Sequence, residues 1–365
     1  MHLSAEPAAA SLKVLLIAFA ALGAACAATE ARAPKIPVTS LAPLPEPLSN
    51  NAVALLPTAD GDVLVSALGL RAGKSWADTT SGAWMLDAGA QKWRRLPDVP
   101  GDEGRLAAAA VAAAGRVFII GGYTVAEDGA EKSIETLHAL DPATGEYERL
   151  ADMPVPVDDA VLVARDERWL YLVSGWHDTG NVNLVQLYDI ENDRWRQATP
   201  YPGPAVFGHA GGLVDATLVI CDGVTIAVYA NDKRSFEASP ACYRGEIDAA
   251  DPARIDWYAM PRHPGAPLYR MAAAGVPDAR QVVFAGGSDN PYNYDGLGYN
   301  GSPSQPSDLA FAWNVDERRW QEIGRLATAT MDHRALLVSG DGLVIVGGMR
   351  AGQQVSDTVL KFRLP

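Results

Sequence analysis

Beyond residue 50 the chain alternates short apolar runs with Gly, Pro, Asn and Asp, and each run is too short for a helix. The clearest stretch begins at Gly104 and reads GRLAAAAVAAAGRVFIIGGY, then a polar loop, then TLHALDPATGEYERLADMP. Its first apolar run, 107–113, predicts a small-residue strand. A second, 116–120, is stopped by Gly121 and Gly122. A third covers 136–140, and the turn Asp141, Pro142, Ala143, Thr144, Gly145 leads into a fourth over 147–150. Four short strands punctuated by Gly and Pro make one unit of an all-β repeat.

The unit recurs. Its second half returns as GAWMLDAGAQKWRRLPDVP at 82–100, VQLYDIENDRWRQATPYP at 185–202, YRGEIDAADPARIDWYAMP at 243–261 and LAFAWNVDERRWQEIGRL at 309–326. An aromatic residue marks each copy: Trp93, Tyr147, Trp195, Trp257 and Trp320. Glycine closes the second strand at Gly69, Gly122, Gly175, Gly223, Gly287 and Gly348, at intervals of 53, 53, 48, 64 and 61 residues. A four-stranded repeat of that length fits a propeller blade and no helical solenoid. The pattern holds six second strands but five fourth strands, and the chain finishes on a third strand, SDTVLKFRLP. Residues 37–45, PVTSLAPLP, match the missing fourth strand, with Leu41 at the aromatic position. The expected fold is a six-bladed β-propeller over 36–365, closed by an N-terminal outer strand that leaves no free sheet edge.

Hairpin geometry then sorts the polar residues. The first strand starts, and the second ends, on one face, here called the top face. First-strand starts carry Arg105, Asp159, His209, Arg270, and His333 with Arg334. The loops from second to third strand add Trp176, His177, Asp222, Asp289 and Arg350. The longest of these loops, 288–308, carries Tyr292, Asn293 and Tyr294. Aromatic faces among amides and carboxylates suit a sugar, by stacking and hydrogen bonding. The five histidines of the repeat region, His138, His177, His209, His263 and His333, sit in separate units without metal-ligand spacing, so no metal and no cofactor is expected.

Charge and the first residues narrow the setting. The net charge is -14 with no Lys/Arg cluster, which makes nucleic acid a poor partner. Lys13 precedes an apolar run, 14–21, and small residues around Cys26 follow, so residues 1–27 read as a signal peptide. The protein is then periplasmic or secreted, or alternatively a lipoprotein held to a membrane through Cys26. Cys221 and Cys242 remain, an even number that in an exported chain allows a disulfide. Cys221 ends a second strand and Cys242 precedes a third, so both lie toward the top face. Nothing in the pattern specifies an oligomeric state.

Paired glycines followed by an aromatic some 25 residues later, over 50–365, resemble the kelch-repeat, or galactose-oxidase-like, propellers. The copper constellation of galactose oxidase itself is absent. The export signal and N-terminal closing strand are similar to those of the bacterial N-acetylneuraminate epimerases (sialic acid mutarotases) and their relatives. That resemblance implies anomer interconversion of a sugar or sugar acid by acid–base ring opening. Arg105, Arg270 and Arg334 would hold an anionic sugar, and His209, His333, Asp159 and Asp222 would move protons. The chain departs from those enzymes in the fourth repeat. Their Asn-Gly-Glu segment and nearby Arg are replaced by VICDGVTIAVYANDKR, where Asp222 is the nearest acid and no Arg comes before Arg234. The alternative is a non-catalytic propeller that binds glycan or protein partners.

Overall fold

The computed structural model describes residue 2 and residues 34–365, apart from 102, 231, 232 and 341. The expected export signal and Cys26 fall, residue 2 aside, outside the described residues. Six sheets follow one another, each with four antiparallel strands running outward from an inner strand and one with a fifth, parallel strand at its outer edge. Blade 1 comprises Ala52–Thr58, Gly61–Ala67, Ala83–Leu86 and Arg94–Leu96. Blade 2 comprises Ala109–Ala113, Arg116–Ile120, Leu137–Leu140 and Tyr147–Arg149. Blade 3 comprises Val161–Arg165, Trp169–Val173, Val185–Asp189 and Arg194–Gln197, and blade 4 Ala210–Val214, Thr217–Cys221, Cys242–Ile247 and Ile255–Ala259. Blade 5 comprises Ala272–Val276, Gln281–Ala285, Ser307–Asn314 and Arg319–Thr330. Blade 6 takes Leu337–Ser339, Gly342–Val346 and Val359–Phe362 from the C-terminus and Val38–Ser40 from the N-terminus. Each inner strand adjoins the next, and the last adjoins the first, so the sheets form a closed ring.

The core is six wedges, one between each pair of neighbouring blades. Blades 1 and 2 meet through Val65, Met85, Val117 and Ile119; blades 6 and 1 meet through Leu48, Val53, Val344 and Val346. The aromatic row stitches these wedges from outside. The Trp93 indole donates to the Ala42 carbonyl at 2.9 Å, Trp195 to Ala151 at 2.8 Å, Trp257 to Thr199 at 3.3 Å and Trp320 to Pro261 at 2.7 Å. The Tyr147 hydroxyl donates to Pro97 at 3.2 Å. Every one of these partners lies on the segment leaving the preceding blade. A partly buried ring with one polar handle is suited to that task, because the handle fixes the orientation that packing alone leaves free.

Closure around the axis has its own device. One residue just before each inner strand takes a left-handed conformation: Asn50, Ala107, Asp159, Gly208, Arg270 and Asp332, with φ between 52° and 68°. Five of the six are not glycine, and each such residue costs roughly 1–2 kcal/mol in that region. The return is a collar of hydrogen bonds. Asn50 N–H donates to Asp332 O, Asp159 to Ala107 O, Gly208 to Asp159 O, Arg270 to Gly208 O and His333 to Arg270 O, at 2.8–3.2 Å. The link from blade 2 to blade 1 uses a side chain, with Ala107 N–H donating to Asn50 Oδ1 at 2.9 Å. This explains why the inner strand of blade 2 starts at Ala109 and not at the expected residue 107. The signature glycines press against the same places: a Cβ on Gly122 would stand 2.6 Å from the Leu106 carbonyl oxygen, at φ 86°.

The N-terminal segment does more than its sequence implied. Besides Val38–Ser40 in blade 6, Lys35–Ile36 adds a parallel edge to blade 5, opposite Arg325 and Leu326. It therefore clasps two blades. Deleting residues 36–45 removes both additions and the acceptor of Trp93. The expected outcome is loss of the cooperative thermal transition or a large fall in its midpoint; an unchanged transition would refute the clasp.

The sulfurs of Cys221 and Cys242 are bonded, and the two residues face each other across neighbouring strands with Cα atoms 4.2 Å apart. They staple the base of a hairpin, Val224–Ala230 with Lys233–Ala238, that projects on the top face. Replacing both cysteines with Ser is expected to lower unfolding free energy by roughly 2–4 kcal/mol, read from denaturant titration. Asn50→Ala strands the buried Ala107 N–H and leaves alanine in the left-handed region, with only the backbone bond to Asp332 retained. It should lower stability by about 2–4 kcal/mol, in the same titration, while Asn50→Asp keeps the acceptor and most of the stability.

Candidate functional site

The top face holds a charged centre beneath a loop. Arg270, buried at the start of blade 5, donates from Nε to Asp159 Oδ1 at 3.0 Å and from Nη2 to Asp159 Oδ2 at 2.5 Å. Its Nη1 donates to Asp332 Oδ1 at 3.0 Å and to the Asn293 carbonyl at 2.7 Å. Arg334 also pairs with Asp159. Burial works against the Asp159 carboxylate, but Arg270 and Arg334 win, and its pKa lies below the usual range. Two guanidiniums and two carboxylates thus neutralise one another at the axis.

The blade 5 loop between Ser288 and Pro306 spans the mouth above them. Asn293 Nδ2 donates to Glu131 at 2.5 Å, and Tyr123 OH donates to Asn293 Oδ1 at 3.2 Å, both in blade 2. Lys74 of blade 1 donates to the Asp295 carbonyl at 3.0 Å, and Gln353 of blade 6 to Ser304 at 2.9 Å. Tyr299 stacks on Phe236 of the stapled hairpin at 4.2 Å. Between this loop and blades 2–4 lies a cavity of about 160 Å³, lined by Tyr123, Glu131, Asp158, Trp176, Phe236 and Arg270 among others. Cavities of about 150 Å³ accept a six-membered ring. Trp176, Phe207 and Phe236 meet at 5.4–5.9 Å and form its apolar wall.

Two carboxyl groups in this cavity are held away from ordinary titration. Asp158 is buried, and burial first, then the neighbouring Asp159 charge, pushes its pKa well above the usual carboxylate range, although Ser133 Oγ donates to it at 2.8 Å. Glu131 stands at the rim with water on one side and protein crowding it on the other. That crowding raises its pKa, against the opposing pull of the Asn293 amide and Arg270. Asp158 is thus the group that keeps its proton, and Glu131 titrates above an ordinary glutamate.

Of the residues expected from sequence, the structure brings Asp159, Arg270, Trp176 and Asn293 to this cavity. Arg334 joins the charged centre beneath it. Tyr292 is fully buried under the loop, edge-on to Tyr269 at 5.3 Å, and Tyr294 packs partly buried on the same apolar cluster. His177 sits half-buried with Nδ1 2.8 Å from the Pro156 carbonyl. The others point elsewhere. Asp222 is buried between blades 4 and 5, accepting from Leu268 N–H at 2.8 Å and facing His263 Nε2 at 2.8 Å. Arg105 donates to Gly121 O and Thr136 Oγ1 at 3.1 and 2.9 Å. His209 holds the Val173 carbonyl at 2.9 Å, and burial lowers its pKa to about 4. His333 pairs with Thr330 Oγ1 at 2.9 Å, and burial lowers it to about 3. Both imidazoles are neutral struts at neutral pH. Asp289 is exposed and accepts from Gln305 N–H at 2.8 Å, and Arg350 donates to Thr358 Oγ1 at 2.9 Å. The charged residues at the first-strand starts therefore pair with one another at the axis or with backbone and hydroxyl groups of the blades, because buried charges are stable only with partners.

Sequence reasoning missed Glu131, Phe207 and Phe236. Glu131 sits in a run, EDGAEK, that reads as a solvated loop, and only folding turns it toward Asp158. The apolar axial cavity at the opposite face, about 260 Å³ and lined by Val53, Leu55, Val111, Leu162, Leu213 and Leu337, offers no side-chain polar group to orient a ligand. Among the described residues, no group of three His, Cys, Asp or Glu is placed to share a metal ion.

Known proteins share this architecture. Residues 104–154 match the Kelch motif model. Kelch-like protein 15 of Mus musculus is 31% identical over 109 residues, 30% of this chain and 18% of that protein. Kelch-like protein terF of Aspergillus terreus is 28% identical over 184 residues, 50% of this chain and 36% of its own. The chain thus matches well under two thirds of the length of these relatives. The solved structure titled "Structure of YjhT" is 18% identical, with TM-score 0.69, and the match covers 88% of this chain and 97% of the other. The chain therefore carries a Kelch motif over residues 104–154 and folds as a six-bladed β-propeller, and its similarity to these proteins lies in that motif and that fold.

Proposed function

We propose that the top-face cavity binds a sugar or sugar acid and exchanges its anomers by acid–base ring opening, in an exported protein. One observation carries the reading. Asp158 and Glu131 share an aromatic-walled cavity, and their surroundings push their pKa values to different heights. Ring opening needs a base for the anomeric hydroxyl proton and an acid for the ring oxygen. A carboxyl group held protonated by burial beside a carboxylate at the rim meets that need. Asp158 is the acid and Glu131 the base; on recyclisation the roles reverse. Arg270 positions the site by fixing Asp159 and the Asn293 backbone. The apolar run and small residues within 1–27, which read as an export signal, and the Cys221–Cys242 bond support an oxidising compartment.

A second reading has its own support. Trp76, Leu297 and Tyr299 are exposed apolar side chains on top-face loops, each more than two-fifths accessible. Such residues suit a non-catalytic surface for a glycan or protein.

The deciding experiment is NMR of a freshly dissolved pure anomer, with and without protein, over a panel of neutral and acidic sugars. Accelerated exchange is expected, and Glu131→Gln or Asp158→Asn should slow it by about 10²–10⁴-fold with the fold intact. The rate should rise with pH as Glu131 ionises, at a higher pH than an ordinary glutamate, and fall at higher pH as Asp158 loses its proton. Wild-type exchange at the background rate would leave the binding surface as the function.

A further inference from the structure

Glu131 and Ser133 stand two residues apart on one short strand, Glu131–Ser133, which pairs with Tyr123–Val125. Side chains two apart along a strand leave on the same face. That strand therefore presents the base of the proposed reaction with a hydroxyl beside it. The hydroxyl reaches the acid: Ser133 Oγ donates to Asp158 Oδ2 at 2.8 Å, and both residues are buried.

A serine hydroxyl has one proton to give and lone pairs to receive, and its neighbours decide what Ser133 does with them. The Asp178 N–H donates to Ser133 Oγ at 3.1 Å, and the Ser133 N–H donates to Asp178 Oδ1 at 3.0 Å. This reciprocal pair holds the Ser133 side chain in place. Among the described residues Ser133 Oγ has one acceptor for its own proton, Asp158 Oδ2. Turning that proton elsewhere leaves a buried donor unsatisfied, at a cost no smaller than the bond itself. Oδ2 is thus the oxygen that accepts. No hydrogen bond among the described residues engages Oδ1, and Asp158 lines the cavity.

We propose that Ser133 is a positioning residue that keeps the Asp158 proton on Oδ1, the oxygen left for the substrate, at a fixed separation from Glu131. This rests on the reading of the cavity as an anomer-exchange site. In ring opening the Oδ1 proton passes to the ring oxygen as its bond to the anomeric carbon breaks, and Glu131 takes the anomeric hydroxyl proton as the carbonyl forms. On reclosure the new hydroxyl returns a proton to Oδ1, and Glu131 returns its own to the carbonyl oxygen. A proton free to sit on either oxygen of Asp158 serves that step only part of the time.

The groups facing Asp158 are Asp159 on its own segment, Glu131 and Tyr123 of blade 2, Arg270 and Tyr299 of blade 5, and Arg234 of the stapled hairpin. Burial raises the Asp158 pKa most, Asp159 and Glu131 add to it, and the Ser133 hydroxyl and Arg270 oppose them. Removing the hydroxyl takes away a donor that favours the ionised form, so Asp158 keeps its proton to a higher pH.

The first readout needs no sugar. In protein labelled with 13C at aspartate, the Asp158 carboxyl carbon is followed against pH, identified by its disappearance in Asp158→Asn. Ser133→Ala is expected to move that titration upward, and Ser133→Thr, which keeps the hydroxyl, to restore it. A titration that Ser133→Ala leaves in place overturns the proposal. The second readout is NMR anomer exchange of glucose and of glucuronic acid over a range of concentrations. Ser133→Ala is expected to lower kcat roughly ten- to hundredfold with KM unchanged, to move the high-pH fall upward, and to be rescued by Ser133→Thr. Unchanged kcat in Ser133→Ala, or equal losses in the two variants, overturns the proposal and leaves the sugar-site reading standing. Wild-type exchange at the background rate for these sugars and the wider panel overturns that reading, and the positioning role with it.

Discussion

The collar of hydrogen bonds around the axis is the constraint from which the rest of the propeller follows. Six links, one per junction, tie the start of each inner strand to its neighbour, and each requires a left-handed residue at the same place. The second strand of each blade ends so close to the carbonyl just before the left-handed residue that a Cβ would stand 2.6–3.2 Å from its oxygen. Gly69, Gly122, Gly175, Gly223, Gly287 and Gly348 stand at those ends. The repeat signature is thus a record of backbone crowding near the axis. Sheet spacing, wedge volume and the outward aromatic row are consequences of holding six sheets at that separation.

The same collar places the chemistry. Asp159, Arg270 and Asp332 are collar residues whose side chains leave the ring on the top side, and they are mutually neutralised there. Sixfold repetition on its own gives a symmetric face that selects nothing. Asymmetry enters through loops: the blade 5 loop lies across the mouth, the blade 4 hairpin contributes Phe236, and the blade 2 loop contributes Glu131. The cavity exists on one side of the axis because these three insertions meet there.

How far sequence reaches follows from that division. Blade number, closing strand, aromatic row and the Cys221–Cys242 pair were legible, because each is a local pattern repeated or conspicuously missing in one copy. Asp159 and Arg270 were recognisable as axial, since they precede small-residue strands. Their partners were not, because a polar residue before an inner strand has several neighbours to choose from. Asp222 turned to His263, between blades 4 and 5, and Arg105 to Gly121 and Thr136 within its own blade. Glu131 and Phe236 lie on hairpins inserted between strands, outside the repeat, where no periodicity reports orientation. The parallel addition of Lys35–Ile36 to blade 5 was equally hidden, because two residues carry no pattern.

The double clasp bears on the order of events during synthesis. Residues 35–40 are made before every other strand of the propeller, yet their partners, at 325–326 and 360–362, lie in its fifth and sixth blades. Until those are made blade 1 has no neighbour on one side, blade 5 lacks its added edge, and the earliest segment must stay extended and unpaired. Five blades can assemble in order, each on its predecessor, but the ring cannot lock until Val359–Phe362 is available to pair with Val38–Ser40. The interval before locking is when unpaired strand edges invite association with other chains. The short, Pro-rich character of residues 34–48 keeps the waiting segment from pairing prematurely, since proline withholds the backbone donor that a mistaken strand partner would need.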